Sequence, residues 1–140
     1  MRVFFDTNVL ASAFTARGLC ASLYEQVALN HELIIGEPVI EELLRILAGK
    51  LRVPADKLAL VRAELDGFEL APRTVVPGVQ FARDPADAVV LACAVSAKTE
   101  VFVTGDKALL DLGTIKNIPI LSPRQLWQKL AGLEVESKPK

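Results

Sequence analysis

Four short acidic segments carry the residue types in this chain that could do chemistry. They are Phe5-Asp6-Thr7-Asn8, Glu41-Glu42-Leu43, Arg83-Asp84-Pro85-Ala86-Asp87 and Thr104-Gly105-Asp106. Carboxylates that a fold brings together form a site for a hard divalent cation, because all-oxygen ligands suit Mg²⁺ or Mn²⁺. The single His and the two cysteines, Cys20 and Cys93, do not have the spacing of a zinc site or of a disulfide framework. Both cysteines are interpreted as small buried hydrophobic residues.

Such a cluster of acids would serve the hydrolysis of a phosphodiester. Several carboxylates close together repel one another, and a divalent cation relieves that repulsion. Mg²⁺ keeps several waters and binds through a few carboxylates plus the phosphate of a substrate. The cation would activate a water and stabilise the charge that develops on the phosphodiester. Hydrolysis of a nucleic-acid backbone is therefore the reaction class that this set of residues favours.

Helix capping is the alternative explanation for the same acids. Asp84 and Asp106 stand directly before predicted helices, and Asp6 stands just before a helix that begins near Asn8. A side-chain oxygen at such a position can accept from free backbone N–H groups. Asp87 falls in the first turn of its helix, where a negative charge favours the helix dipole. Taken one at a time, these residues need no function beyond capping, so the inference of a site depends on their convergence.

The elements that must position these acids alternate between short apolar runs and helical segments. Strands are predicted at residues 3–5, 33–35, 68–70, 101–104 and 118–121, with 75–76 as an alternative to 68–70. Helices are predicted at 9–14, 19–29, from 38 onward, and at 54–65, 85–98, 107–112 and 123–130. This alternation predicts an α/β fold, a three-layer α/β/α arrangement with a central, mainly parallel sheet of four to five strands. Pro119 suggests that the last strand lies at an edge.

A parallel sheet would bring the acids to one edge. Ligands of such sheets bind outside the carboxyl ends of the strands. Asp6 follows the first strand, and Asp106 follows the strand at 101–104, so right-handed crossovers put both on that edge. Asp87 opens the helix that leads into the strand at 101–104, and such a helix begins at the same edge. Glu41 and Glu42 lie near the start of the helix that follows the second strand.

Length and composition are those of one ordinary globular domain. The chain has 140 residues, of which 51% are hydrophobic, and its formal net charge is −1. We assign residues 1–131 to the domain and 132–140 to a flexible polar tail. No apolar run approaches the length that spans a bilayer and no signal-peptide pattern is present, so a cytoplasmic location without membrane contact is expected. The net charge gives no sign of nucleic-acid binding, and a polyanion would have to be held by local Lys/Arg clusters or by metal.

Taken in order, the four motifs resemble those of the PIN-domain family. The matching features are Phe-Asp-Thr-Asn after a first strand, a Glu-Leu on a helix, Arg-Asp-Pro-x-Asp opening an Ala-rich helix, and Val-Thr-Gly-Asp-Lys. The resemblance extends from residue 3 to about residue 130, and the order and spacing resemble bacterial PIN proteins of toxin–antitoxin pairs, relatives of VapC-type toxins. It implies a PIN-like fold and a metal-dependent endoribonuclease.

The resemblance also implies roles for individual residues. Asp6 and Asp87 match metal ligands, and Asp106 matches the last acidic position, which binds metal directly or through water. Asp84 is the additional acid of the Arg-Asp-Pro-x-Asp form and is either a ligand or a cap. Asn8 would orient Asp6, and Thr104 would act in a similar supporting way.

The choice between the two neighbouring glutamates depends on the resemblance alone. The family places its glutamate directly before Leu, which favours Glu42 over Glu41. Helical geometry leaves the choice open, because both glutamates lie off the apolar stripe by similar angles.

The implied reaction is in-line attack of a water on an RNA phosphodiester. Asp6, Glu42 and Asp87 would hold one Mg²⁺ or Mn²⁺, and Asp106 would support that ion or a second one. Arg83 and Lys107 flank the acids and could bind substrate phosphate or pair with the carboxylates. The implied partners are an RNA substrate, a second copy of the chain in a homodimer and a cognate antitoxin.

Two other functions of the domain stay open, as does the role of one group of basic residues. The domain could be a PIN-like binding module without turnover, or a structure-specific DNA nuclease, although no long helical arch is evident for the latter. Arg45, Lys50 and Arg52 follow one helix and its exit. They are either a solvated face or contacts to RNA phosphates beside the acidic pocket.

Overall fold

The structure, a computed structural model, describes residues 1–79 and 84–133. Within these ranges a six-stranded sheet is combined with seven helices. The strands are β1 (Arg2–Phe5), β2 (Glu32–Gly36), β3 (Glu69–Ala71), β4 (Val101–Val103), β5 (Thr114–Ile115) and β6 (Ile118–Leu121). The helices are α1 (Thr7–Thr15), α2 (Leu19–Asn30), α3 (Glu37–Gly49), α4 (Ala55–Leu65), α5 (Pro85–Ser96), α6 (Lys107–Leu110) and α7 (Pro123–Leu130).

The central strands are buried on both faces. Successive side chains of a strand point to opposite faces, and Val3, Phe4 and Phe5 of β1 are all fully buried. Phe4 stacks on Phe102 of β4, with ring centroids 5.4 Å apart. Continuous apolar runs of this kind are typical of a parallel sheet covered by helices on both sides, which confirms the predicted α/β class.

The order of the strands places a switch point between β1 and β4. The sheet runs β3-β2-β1-β4-β6-β5, and β5 alone pairs antiparallel. From β1 the chain steps through β2 to β3 in one direction, and after returning through α5 it steps from β4 toward β6 in the other. Ligands of open α/β sheets bind outside the carboxyl ends of the strands at such a reversal. The segments that follow β1 and β4 therefore meet at this crevice.

Helix α5 connects the two halves of the sheet and is nearly all small or apolar. Five consecutive residues, 90–94, are buried, which requires packing on more than one side of the helix. Cys93 is fully buried and its thiol donates to the carbonyl of Pro72 at 3.3 Å, so it is the small buried residue that was predicted. Cys20 is only half-buried and packs against the edge of the core.

The last strands differ from the prediction. Strand β6 is not an edge strand, because the two-residue strand β5 pairs with its outer side. Pro119 is tolerated because the pairing of β6 with β4 begins at Ile120, so the missing N–H of Pro119 leaves no bond of that ladder unmade. The sheet thus has six strands rather than four to five, and the third strand lies at Glu69–Ala71 and not at 75–76.

Carboxylates surround Arg2 at the amino ends of the strands. Arg2, which begins β1, makes two hydrogen bonds to Glu69 at 2.5 and 3.0 Å and one to Glu32 at 2.8 Å. It also donates to the carbonyls of Ala97 and Lys98. We call this group the Arg2 cluster.

Two predicted features lie outside the described residues. They are Arg83 and all but the first two residues of the expected polar tail at 132–140. In the ranges that the structure does describe, no helix combines the length and apolar character that a membrane span requires.

Candidate functional site

Asp6 is the buried centre of the crevice. Its backbone N–H donates to the carbonyl of Val103 at 2.9 Å, which extends the pairing of β1 with β4 by one step. The side chain caps α1 by accepting from the N–H of Thr7 at 2.8 Å. Only 7% of the residue is exposed, and burial raises the pKa of this carboxyl despite the hydrogen bonds it accepts from Thr104 and Thr7. The charges of Glu42 and Asp106 raise this pKa further.

Thr104 and Asn8 hold Asp6 in one orientation. The fully buried hydroxyl of Thr104 donates to Asp6 Oδ2 at 2.7 Å and accepts from the N–H of Asp106 at 3.0 Å. The Asn8 amide donates to the same Asp6 oxygen at 3.2 Å, and its carbonyl accepts from the N–H of Gly105 at 2.8 Å. A Cβ on residue 105 would lie 3.3 Å from Asn8 Oδ1, so glycine allows this close approach. These bonds join the ends of β1 and β4 around one carboxylate.

The two neighbouring glutamates of α3 face different partners. Glu42 accepts a hydrogen bond at 3.2 Å from the hydroxyl of Thr7, which places its carboxylate next to Asp6. Glu41 is exposed and forms an ion pair with Arg73 at 2.8 Å, on the segment that follows β3. The structure thus brings Glu42 to the crevice and turns Glu41 toward a cation.

Asp87 faces the other acids without compensation. It lies in the first turn of α5, and no hydrogen bond or ion pair reaches its carboxylate from the described residues. Burial raises its pKa to about 6, and the charges of Asp84, Asp6, Asp106 and Glu42 raise it in the same direction. Asp84 is exposed and caps α5 by accepting from the N–H of Ala86 at 2.9 Å.

Asp106 combines capping with a position in the crevice. Its carboxylate accepts from the N–H of Ala108 at 2.8 Å and so caps α6. Its charge also acts on both Asp6 and Asp87. Lys107 follows at the start of α6 with an exposed side chain. For Asp6, Asp84 and Asp106 the capping interpretation is therefore correct, and it is compatible with convergence.

The acidic crevice consists of Asp6, Glu42, Asp84, Asp87 and Asp106. None of these forms an ion pair with a Lys or Arg of the described ranges, where Arg2, Arg62 and Arg73 pair with other acids. As they stand, no three acidic, His or Cys side chains in those ranges converge tightly enough to enclose a metal ion. The crevice is a concentration of negative charge rather than a closed cage.

The donor chemistry of the crevice fits Mg²⁺ or Mn²⁺. All available side-chain donors are carboxylate oxygens, with the hydroxyls and amide of Thr7, Thr104 and Asn8 beside them. Mg²⁺ typically uses one or two carboxylates and retains several waters, so it does not require three converging side chains. The raised pKa of Asp6 and Asp87 marks two negative charges that a cation would stabilise.

Two residues of this region were not identified from the sequence. Thr7 links Glu42 to the Asp6 loop, and its only sequence signal was its place between Asp6 and Asn8. Arg73 pairs with Glu41 across the sheet edge, and nothing local in the sequence indicates that contact.

Solved structures of similar fold come from toxin–antitoxin complexes. One is VapBC2 from Rickettsia felis bound to a DNA fragment from their promoter, with 15% identity, a TM-score of 0.61, and coverage of 87% of this chain and 98% of that chain. Another is a toxin–antitoxin complex from Klebsiella pneumoniae, with 20% identity, a TM-score of 0.62, and coverage of 86% and 97%. At these identities the similarity establishes the fold alone.

Sequence comparison gives the family. No curated protein sequence is significantly similar to the chain. The family model described as the PIN domain matches residues 2–108, a range that includes β1, the Glu42 helix, Asp87 and Asp106. The chain therefore belongs to the PIN domain family.

Proposed function

We propose that this chain is a metal-dependent endoribonuclease and the toxin of a toxin–antitoxin pair. One observation carries the proposal: Asp6, Glu42, Asp87 and Asp106 face one crevice at the switch point of the sheet without a compensating cation from the described residues. Uncompensated carboxylates cost stability, and a fold that keeps four of them together uses them for binding or catalysis.

Asp6, Glu42 and Asp87 are the residues that would hold Mg²⁺ or Mn²⁺. Asp106 would support the same ion or a second one, and Asp84 contributes charge from the start of α5. A bound divalent cation would lower the pKa of a water and neutralise charge on the transferred phosphoryl group.

Neighbouring polar side chains orient the carboxylates that would hold the cation. Thr104 and Asn8 limit Asp6 to one orientation, because both donate to the same oxygen, Oδ2. Thr7, at the start of α1, donates one hydrogen bond to the carboxylate of Glu42. Preorganised carboxylates need no rearrangement when the substrate phosphate arrives, which is the general advantage of fixed electrostatic sites.

A toxin role implies partners. The structures of similar fold were solved as toxin–antitoxin complexes, which supports a cognate antitoxin for this chain as well. We extend the proposal to a homodimer and to a cytoplasmic location, where an RNA substrate is accessible.

Cleavage of single-stranded RNA tests the enzymatic proposal. The wild type should cleave RNA in Mn²⁺, EDTA should stop the reaction, and Asp6→Asn should lower the rate by roughly 100-fold or more. Asn at this position can still cap α1, so the variant should fold. Glu69→Gln, which removes a carboxylate from the Arg2 cluster, is the matched control and should cleave at the wild-type rate. Equal cleavage by wild type and Asp6→Asn would contradict the proposal.

Metal titration separates the nuclease from a binding module whose acids only cap helices. A metal ligand set must gain thermal stability from Mn²⁺, by roughly 2.7 kcal/mol at a hundred times the dissociation constant. Asp87→Asn should remove most of that gain. Duplex and flap DNA, offered in the same assay, should be cleaved far more slowly than RNA, and the reverse order would favour a DNA nuclease.

A further inference from the structure

A second pocket adjoins the acidic crevice between α3, α5 and the segment that follows β3. We call it the α3–α5 pocket, and its volume is about 190 Å³. Glu42 lines it, so it is continuous with the crevice on the side of that carboxylate. Pro38 and Val89 provide an apolar wall, and Arg45 and Arg73 provide two guanidinium groups.

The two arginines of this pocket differ in whether an acidic side chain pairs with them. Arg73 is held by the ion pair with Glu41 at 2.8 Å. Arg45 lies three residues after Glu42 and four after Glu41, which puts all three side chains on one face of α3. Arg45 is exposed and, within the described residues, no hydrogen bond or ion pair engages its guanidinium. It is thus an available cation next to an acidic crevice.

A guanidinium in this position fits a phosphate. Its planar set of donors matches phosphate oxygens in a two-point contact, which an ammonium group cannot reproduce. The net charge of the whole chain is −1, so a polyanion cannot be attracted by the overall field and needs local cations of this kind. The apolar wall opposite would contact the non-ionic part of the same ligand.

We propose that the α3–α5 pocket binds the nucleotide next to the cleaved bond, with Arg45 holding its phosphate and the wall of Pro38 and Val89 contacting its sugar or base. The inference rests on the proposed ribonuclease function and names where the substrate lies. Arg73 would be a second cation for the same phosphate, and because Glu41 competes for Arg73, their ion pair limits how strongly the pocket attracts RNA.

Kinetics of Arg45→Gln on single-stranded RNA test the inference. The KM should rise about tenfold or more, as expected for one charge-assisted phosphate contact, while kcat stays within about twofold. The slope of log affinity against log salt should fall by ~0.7, the value for one phosphate contact on a single strand. Arg45→Lys should recover part of the loss. Arg62→Gln on α4, which removes an exposed arginine paired with Asp66, is the matched control and should change neither KM nor the slope.

The variant Glu41→Gln provides an independent test of the same inference. It should free Arg73 and lower the KM, whereas the inference is overturned if it raises the KM. A KM and salt slope for Arg45→Gln that equal those of the wild type overturn the inference and leave the ribonuclease intact. A lower kcat at constant KM also overturns it, because Arg45 would then act on the reaction and not on binding. A wild type that does not cleave RNA overturns both.

Discussion

Carboxylates at the two ends of the same sheet have opposite pKa shifts. At the amino ends of the strands, Glu32 and Glu69 pair with Arg2, and the pKa of Glu69 is lowered by its hydrogen bonds to that guanidinium. At the carboxyl ends, burial and mutual repulsion raise the pKa of Asp6 and bring that of Asp87 to about 6.

The acids of this fold thus fall into two groups, those whose charge a neighbouring cation compensates and those whose charge is left uncompensated. A carboxylate with a lowered pKa is stabilised in its charged form and contributes to folding. One with a raised pKa is destabilised when charged, and the folded chain keeps it at a cost. In the Arg2 cluster a guanidinium of the chain pairs with the carboxylates, whereas no Lys or Arg of the described residues pairs with the acids of the crevice.

The largest expected effect comes from neutralising the crevice at Asp87. Asp87→Asn should lower RNA cleavage by roughly 100-fold or more, since even supporting groups of metal sites contribute 10–100-fold. In EDTA the same variant should melt at a higher temperature than the wild type, because an uncompensated charge has been removed. Cleavage rates and melting curves measured on one preparation check both the loss of activity and the gain in melting temperature. A variant that loses both activity and stability would contradict the conclusion that the charge of Asp87 destabilises the folded chain.

Next in size is the loss of the Thr104 hydroxyl. Thr104→Val keeps the shape but removes the donor to Asp6, and activity should fall by about 10–100-fold. The buried Asp6 would also lose its shortest hydrogen bond, so Mn²⁺ should bind more weakly. Thr104→Ser retains the hydroxyl and should stay close to the wild type. If valine and serine behave alike, Thr104 does not position Asp6.

At the opposite end, Arg2→Gln should affect stability alone. It leaves Glu69 and Glu32 without their cation, and because these pairs are exposed to solvent the free energy of unfolding should fall by only about 1 kcal/mol. Cleavage per folded molecule should be unchanged, because the cluster is at the other edge of the sheet. Urea denaturation together with kcat of the folded protein measures this. A large drop in kcat would show that the two edges are coupled.

The smallest expected effect is a pH dependence that differs between the two edges. In EDTA the folded state binds the Asp87 proton more tightly than the unfolded state does, so its stabilising contribution is complete at low pH. That contribution is lost as the pH rises through about 6. Glu69 has the opposite sign, since its contribution is present above its ordinary pKa and is lost only as the pH falls below it.

Melting in EDTA at pH 5 and pH 8 measures this pH effect. The wild type should melt a few degrees higher at pH 5, and Asp87→Asn should show a smaller difference. Glu69→Gln should leave the difference unchanged, because the transition of Glu69 lies below this interval. A wild type that is more stable at pH 8 would contradict the assignment of the raised pKa.

Most of the fold could be predicted from local patterns. Continuous apolar runs gave β1, β2 and β4, and Ser122 before Pro123 gave the start of α7, where the structure has a capping box with Gln125. The errors fall where local pattern is weak. The two-residue strand β5 has no signal of its own, and Pro119 indicated an edge strand because the sequence does not reveal the register with β4.

The candidate site was predicted less completely than the fold. The sequence led to the acids and, through the family's Glu-Leu pattern, to Glu42, which the structure places beside Thr7. It did not lead to Arg73, whose contact with Glu41 joins residues far apart in the chain. The roles of Asp6, Glu42, Asp87 and Asp106 in metal binding and catalysis remain predictions, which the experiments above test.

The alternation of strands and helices, and an acid after β1, after β4 and at the start of α5, can be read from the amino-acid sequence alone. These follow from local hydrophobic period and capping chemistry, which act over a few residues. Which of the acids have a compensating cation cannot be read from the sequence and follows from the packing of the strands. Whether a carboxylate has a cation beside it depends on the order of the strands. The order β3-β2-β1-β4 brings Arg2 within reach of Glu69. The same order places Asp6 and Asp87 where the charge of each acts on the other.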